Sequence, residues 1–333
     1  MTSHVFHRVL AKKLPVAKEG QGAFIVDGEG RRYLDASGGA VVVNLGHGRE
    51  EIARAVAEQL RRGYYFHPTM FSSDAVEALA DKLAGHAPQG ISRFYFMTSG
   101  SEAVETAIKL ARQVHVARGQ EGRHKLISRW RSYHGLTLGA LAATGRTSFR
   151  APFLPTFLDA MHIPPPYCLR CSYGLEPPTC RLRCAVALEE VILDQGPKSI
   201  SAFIGETVSG ASLAVYPPPP GYWPLVREIC DRHGVLLIQD EVMSGMGRTG
   251  KWFAIEHYVA VPAPDALVDD LAVAFEASGG VPRALLAALA THPDFVAAAG
   301  APRLATPLDF GMRVARVTGR EQIDWSLRQF LQN

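Results

Sequence analysis

Between Glu51 and Gln239 short strand-like runs alternate with amphipathic helical stretches, and this alternation limits the fold more than any other feature of the 333-residue chain. Apolar residues three and four apart predict helices over 51–62, 75–83, 101–112, 136–143, 185–194 and 224–233. Short runs rich in aromatic and branched residues predict strands over 92–97 (SRFYFM), 125–128, 200–204 and 235–239. The last of these, VLLIQ, is apolar without alternation, as expected of a strand covered on both faces. Strands separated by helices pair in parallel, so the expected fold is α/β, a three-layer sandwich around a mostly parallel central sheet.

Composition removes several other classes. Hydrophobic residues make up 47% and charged residues 20% of the chain, ordinary for a globular enzyme with a real core. The formal charge is only +3 and the basic residues are scattered, so neither a nucleic-acid nor a membrane footprint is expected. The start of the chain lacks the apolar stretch of a secretion signal, and no run approaches the roughly 20 apolar residues of a membrane span. A cytoplasmic protein is the expectation.

Four of the five cysteines cluster, as C-x2-C, eight residues, then C-x3-C: Cys168, Cys171, Cys180 and Cys184. Four thiolates suffice for a tetrahedral zinc, but the spacing is not that of a tight zinc ribbon, and reduced thiols in a surface excursion over 166–184 are the plainer reading. No metal site is assigned. Cys230 falls in a helical pattern and reads as a small core residue.

Three polar positions follow the C-terminal ends of expected strands, where open α/β sheets place their ligands. They are the turn Thr98-Ser99-Gly100-Ser101, Glu206 after 200–204, and Asp240 after 235–239. Gly100 allows close backbone approach, and Ser101 opens a helix whose free N–H groups suit a phosphate; the competing reading is a simple helix cap by Ser101 and Glu102. A carboxylate such as Asp240 at the end of an apolar strand needs a cation or good donors. A protonated pyridine nitrogen would serve; so would a helix cap or an ion pair with Arg248. Tyr133, in SYHG, could stack on a ring with Gly135 leaving room, although a lone tyrosine is more often core.

The segments MTSGSEAVETAIKLAR, SYHG, AFIGE and LLIQDEVMSGMGRTG stand in the order and spacing of the class III (omega-type) aminotransferases, and the chain resembles that family from about Ser3 to Asp265, roughly four-fifths of its length. RRYLDASGGAVVVNLGHG near the start and CAVALEEVI after the cysteines also look like the family. The resemblance implies the fold-type-I large domain and the cofactor pyridoxal 5'-phosphate. It also implies amino transfer from an amine or amino acid to a 2-oxo acid, and sites formed at a dimer interface. Carried over position by position, Gly100 and Ser101 would hold the phosphate and Tyr133 would stack on the ring, with His134 and Gly135 completing that turn. Asp240 would pair with the ring nitrogen, Val242 would pack on the opposite ring face, and Glu206 would lie near the cofactor.

The pattern breaks after Asp265. A few dozen residues past the Asp-Glu-Val motif the family carries a lysine that links covalently to the cofactor and moves the proton. Here the last lysine is Lys251, and the best match to that stretch, DLAVAFEASGGVPRALLAALAT over 270–291, puts Val273 at the lysine position. Lys109 lies about 12 Å into its helix at 1.5 Å per residue, and Lys251 follows a surface-type turn, so neither replaces it. No catalytic residue is therefore assigned, and the cofactor is expected to bind noncovalently and more weakly. The family also continues into a small C-terminal domain and supplies a phosphate-contacting threonine, for which the chain offers no match. The expected organisation is an N-terminal segment (1–50), a cofactor-binding large domain (51–296) and a divergent tail (297–333) standing for a truncated small domain. Three readings stay open: an impaired aminotransferase family member, a non-catalytic scaffold pairing with itself or with an intact paralogue, and a frame-disrupted remnant.

Overall fold

The computed structural model describes residues 4–8, 13–88 and 90–258. These comprise β1 (Ala17–Gln21), β2 (Phe24–Asp27), β3 (Arg32–Leu34), α1 (Gly38–Val41), α2 (Glu50–Arg62), α3 (Asp74–Ala84) and α4 (Gly100–Ala117). There follow β4 (Lys125–Arg129), α5 (Leu138–Ala143), α6 (Thr147–Arg150), β5 (Ala160–Ile163), α7 (Arg183–Gln195), β6 (Ile200–Glu206), α8 (Tyr222–His233) and β7 (Leu236–Asp240). They fall into two compact units that divide between Asp81 and Lys82. Val273 and the tail expected over 297–333 lie outside the described residues.

The first unit holds a three-stranded antiparallel sheet, β1-β2-β3, which the sequence patterns did not signal. Asp27 at the end of β2 organises its hairpin, accepting from the Glu29 and Arg31 amides, from Arg31 Nε and from Tyr33 Oη at 2.8–2.9 Å. α2 carries Glu50 and Glu51 in its first turn and Arg61 and Arg62 in its last, each charge matched to its end of the helix dipole.

The second unit is an α/β sandwich around a four-stranded parallel sheet in the order β5-β4-β6-β7. Side chains alternate across it with the period of two that strands impose. Ile127 and Phe203 face a cluster built with Leu188 and Ile192 of α7 and Trp223, Val226 and Ile229 of α8. Leu126, Ala202 and Ile204 face the other way, onto Val104 and Ala111 of α4 and Ala140 and Ala143 of α5. Helices on both faces bury β6 at all seven positions.

Two strand expectations differ from the structure. VLLIQ is half-buried rather than covered on both faces, because β7 pairs with β6 alone among the described residues and its other edge is open. SRFYFM is not a strand: no described segment forms a ladder with it, and Tyr95 is 78% exposed. A strand is a property of a pair, so an apolar aromatic run without a partner stays extended at most.

The chain leaves β4 toward β5 on one side and later leaves β6 toward β7 on the other, with α5 and α8 on opposite faces. That reversal opens a crevice at the C-terminal ends of β4 and β6, the place such sheets reserve for ligands.

Candidate functional site

The turn before α4 separates two roles that the sequence left merged. Ser99, with extended backbone, is the N-cap, its Oγ accepting from the Glu102 amide at 3.3 Å while Glu102 reaches back to the Thr98 amide and hydroxyl. Ser101 is thereby released from capping. Its Oγ instead accepts from the Leu136 amide at 3.1 Å, which ties α4 to the turn after β4. The amides of Gly100 and Ser101 have no protein acceptor among the described residues, so two N–H donors and one hydroxyl face outward at the positive end of an 18-residue helix.

Two glycines shape this seat. Gly135 has φ +138°, and a Cβ there would stand 2.7 Å from Ser101 Oγ and 2.9 Å from Ala140 Cβ. Only glycine lets the SYHG turn approach the helix so closely. A Cβ on Gly100 would stand 3.0 Å from Val242 Cγ1, so Val242 lies directly over the start of α4. The SYHG turn is pinned from behind as well: the His134 amide donates to Thr144 Oγ1 at 2.9 Å, and Ser132 Oγ accepts from the Gly145 amide at 3.0 Å.

Asp240 ends β7 as a buried carboxylate. Its Oδ2 accepts from His134 Nδ1 at 2.7 Å and its Oδ1 from the Val242 amide at 3.0 Å, so its partner is His134 rather than Arg248. An ionised carboxylate accepting at Nδ1 fixes the proton on that ring nitrogen. The His134 side chain is fully buried, and its Nε2 has no protein partner among the described residues. Sequence reading gave His134 only a place in the turn; its contact with Asp240, 106 residues away, had no local signal.

Glu206 stands beside Asp240 as its direct ladder partner across β6 and β7. Its Oε1 accepts from the Gly210 amide at 3.0 Å, while its Oε2 is buried without a protein partner among the described residues. Burial pushes its carboxyl up; the nearby His134 and Arg129 charges pull the other way. Arg129, itself buried, donates from Nη2 to the Glu206 carbonyl at 2.5 Å and lies over the Trp223 ring, 5.3 Å from its centroid. The neighbouring Glu241 is a structural tie, accepting from the Ala254 and Ile255 amides and from Thr207 Oγ1 at 2.7–2.9 Å.

Tyr133 is half-buried, edge-on to Phe149 with ring centroids 6.2 Å apart, and Val242 is 51% exposed. The structure thus brings Gly100, Ser101, Tyr133, His134, Glu206, Asp240 and Val242 to one sheet edge. The short links from Ser101 through Gly135 to His134, and from Gly100 to Val242, join the anion seat to the carboxylate. Lys109 and Lys251 are both solvent-exposed. The four loop cysteines are free thiols, and no group of three or more His, Cys, Asp or Glu among the described residues could hold a metal ion. Among the described residues no helix is long and apolar enough to cross a membrane.

A parallel sheet with an anion seat and a buried carboxylate at its switch point defines a cofactor-binding α/β protein. The profile of the family described as aminotransferase class-III matches residues 7–291, and the chain belongs to that family. It is 37% identical over 262 residues to the uncharacterized aminotransferase YodT of Bacillus subtilis, a match covering 79% of this chain and 59% of the relative. It is 36% identical over 266 residues to the diaminobutyrate–2-oxoglutarate transaminase of Halomonas elongata, covering 79% and 56%. Among solved structures, an (S)-enantioselective omega-transaminase from Thermomicrobium roseum matches with TM-score 0.73 at 39% identity, over 78% of this chain and 59% of that one. An amine transaminase from an uncultivated Pseudomonas species, solved with pyridoxal phosphate bound, matches with TM-score 0.72 at 33% identity, over 79% and 61%. These matches span 53–59% of the length of the first curated relatives. The second unit therefore has the fold-type-I architecture, and pyridoxal phosphate is the cofactor that family membership indicates.

Proposed function

We propose that this chain holds pyridoxal phosphate noncovalently at the strand ends of its second unit, and that amino transfer between an amine or amino acid and a 2-oxo acid is lost or strongly impaired in it. The observation that carries the cofactor reading is the pairing of two unlike ends on one small site. At one end Gly100 and Ser101 present amides without an acceptor among the described residues, and a hydroxyl, beside a turn too tight for any Cβ at Gly135, a seat for a phosphate dianion. At the other, Asp240 is a carboxylate held by two donors with acceptor capacity left over, suited to a protonated ring nitrogen. Tyr133 and Val242 are the accessible flat and branched side chains between them, suited to the two ring faces. The residues present therefore fit both ends of the group.

When bound, the cofactor supplies an electron sink for charge developing on the substrate carbon. The chain's own residues would orient it: Asp240 would favour a protonated ring nitrogen, His134 holds Asp240 in place, and the α4 amides would donate to the phosphate. Moving a proton at the substrate carbon needs an amine that can give and take it. Valine at 273 can do neither, and Lys109 and Lys251 point to solvent. The exposed apolar stripe of α2, with Ile52, Val56 and Leu60 each more than 40% exposed, supports a homodimer as the assembled form.

Titrating the full chain with pyridoxal phosphate, followed by its absorbance and by quenching of tryptophan emission, tests the reading. Saturable binding that dialysis removes and borohydride does not fix is expected. Asp240→Ala should weaken it by roughly tenfold or more, the worth of one charge-assisted hydrogen bond. Irreversible borohydride labelling would show a lysine at work and overturn the noncovalent half; absence of saturable binding would overturn the whole.

A further inference from the structure

His134 and Glu206 each carry one buried polar atom that the protein hydrogen-bond network does not use among the described residues. His134 uses Nδ1 on Asp240 and leaves Nε2 buried without a partner among the described residues. Glu206 uses Oε1 on the Gly210 amide and leaves Oε2 buried in the same way. Buried polar atoms rarely stay unpaired, because each forfeits the hydrogen bonds it made in water. The two belong to one neighbourhood: Glu206 and Asp240 are direct partners in the parallel ladder, so their side chains leave the same face of the sheet, and His134 is seated on Asp240. One is an imidazole nitrogen and the other a carboxyl oxygen; they do not bond directly, and one buried water can join them.

We propose that Glu206 is a positioning residue: it closes a buried Asp240–His134–Glu206 chain in which one buried water joining Glu206 Oε2 to His134 Nε2 keeps the Nδ1 proton of His134 on Asp240. Both protonation states of Glu206 give the same outcome at Asp240. A neutral Glu206 donates through the water to Nε2 of a neutral ring; an ionised Glu206 accepts through it from Nε2 of a charged ring. In either case Nδ1 carries hydrogen and Asp240 remains the anion. Burial of Glu206 favours the first arrangement, as does the Asp240 charge beside it. The other charged or titratable groups that bear on the pair are Arg129 from β4, which is engaged with the Glu206 carbonyl, and His162 from β5. Glu105 of α4 is engaged by Thr137 Oγ1 and the Ala140 amide. Only the consequence for the cofactor, a fixed anion opposite its ring nitrogen, rests on the proposed function.

The test is a long-range proton–nitrogen NMR spectrum of the full chain with 15N-labelled histidine and no cofactor, His134 being assigned by the signal lost in His134→Gln. The expected pattern is hydrogen on Nδ1 and an Nε2 resonance displaced from the position of a bare acceptor nitrogen. Glu206→Leu should move Nε2 to that bare position, while Glu206→Gln, whose amide can donate, should keep the displacement. With pyridoxal phosphate added, Glu206→Leu should weaken binding by roughly fivefold, the worth of one hydrogen bond, and Glu206→Gln by much less. A bare Nε2 in the parent overturns the proposal even where Glu206→Leu fails to fold. So does an Nε2 resonance that is the same in parent and Glu206→Leu, or hydrogen found on Nε2 with none on Nδ1. If the NMR pattern holds while no variant binds pyridoxal phosphate, the chain of residues stands and the cofactor reading falls.

Discussion

A histidine can be driven neutral by what lies on either side of it, and His162 in β5 is such a case. Its Nε2 donates to the Ala143 carbonyl at 3.1 Å, its Nδ1 faces Arg150 Nη1 at 3.4 Å, and its ring stacks on Trp130 with centroids 4.5 Å apart. A second proton would sit against a guanidinium in a mostly buried place. Burial first, and the Arg150 charge second, push the His162 pKa down from its ordinary 6.5 to about 4. The unfolded chain therefore takes up a proton that the folded chain refuses as pH falls through that window. The stability tied to His162 is full above pH 6.5, declines as pH drops toward 4, and levels off below it. The expected loss is about 2 kcal/mol between roughly pH 7.5 and pH 5. Urea unfolding at both values, for the parent and for His162→Gln, should show the parent losing that much more than the variant. Equal losses would mean that His162 is not held neutral. Nothing in the local sequence singles out this histidine, since Trp130 and Arg150 come to it from other parts of the chain.

At the scale of elements, β6 binds the second unit together. It is central in the sheet, buried along its whole length, and Phe203 is fully buried between β4, β7 and the helices α7 and α8. Phe203→Ala removes the largest side chain of that strand and leaves a cavity that rigid strand neighbours cannot close. A loss of about 3–5 kcal/mol is expected in the unfolding free energy of the second unit, measured by denaturant titration. A loss under about 1 kcal/mol would mean that the layer relaxes like a surface. This strand was legible in the sequence, as were β4, α2, α4, α7 and α8, because each has a strong local period or a clear cap. The strand-end positions of Glu206 and Asp240 were legible too, whereas the turn at Gly100 and Ser101 follows a run that forms no strand. Three kinds of feature were not. The hairpins of β1-β2-β3 are short and mostly exposed, so alternation is weak. SRFYFM has strand composition but lacks a described ladder partner. The bonds of Ser101 to Leu136 and of His134 to Asp240 join segments 35 and 106 residues apart, and distance of that kind leaves no mark on local pattern.

For the molecule as a whole, the question is what covers α2. Its apolar residues Ile52, Val56 and Leu60 recur every fourth position on one face, yet none is buried among the described residues. The segment just after it exposes Tyr64, Tyr65, Phe66, Met70 and Phe71 as well. A helix with well-placed terminal charges and such an apolar stripe has the makings of an interface, because water is a poor partner for it. A second copy of the chain is the occupant that the proposed homodimer requires, and a two-fold contact would let each stripe bury the other. Val56→Asp places a charge in the middle of that stripe, where it would be desolvated without a partner. Sedimentation velocity at micromolar concentration should show the parent as a dimer and the variant as a monomer, with a dissociation constant raised at least about a hundredfold, the equivalent of about 3 kcal/mol. Because Val56 is exposed in the single chain, its replacement should leave the unfolding of the second unit unchanged, which separates a lost interface from a damaged fold. A parent that sediments as a monomer, or a variant that stays dimeric, would mean that this face meets something other than its own copy.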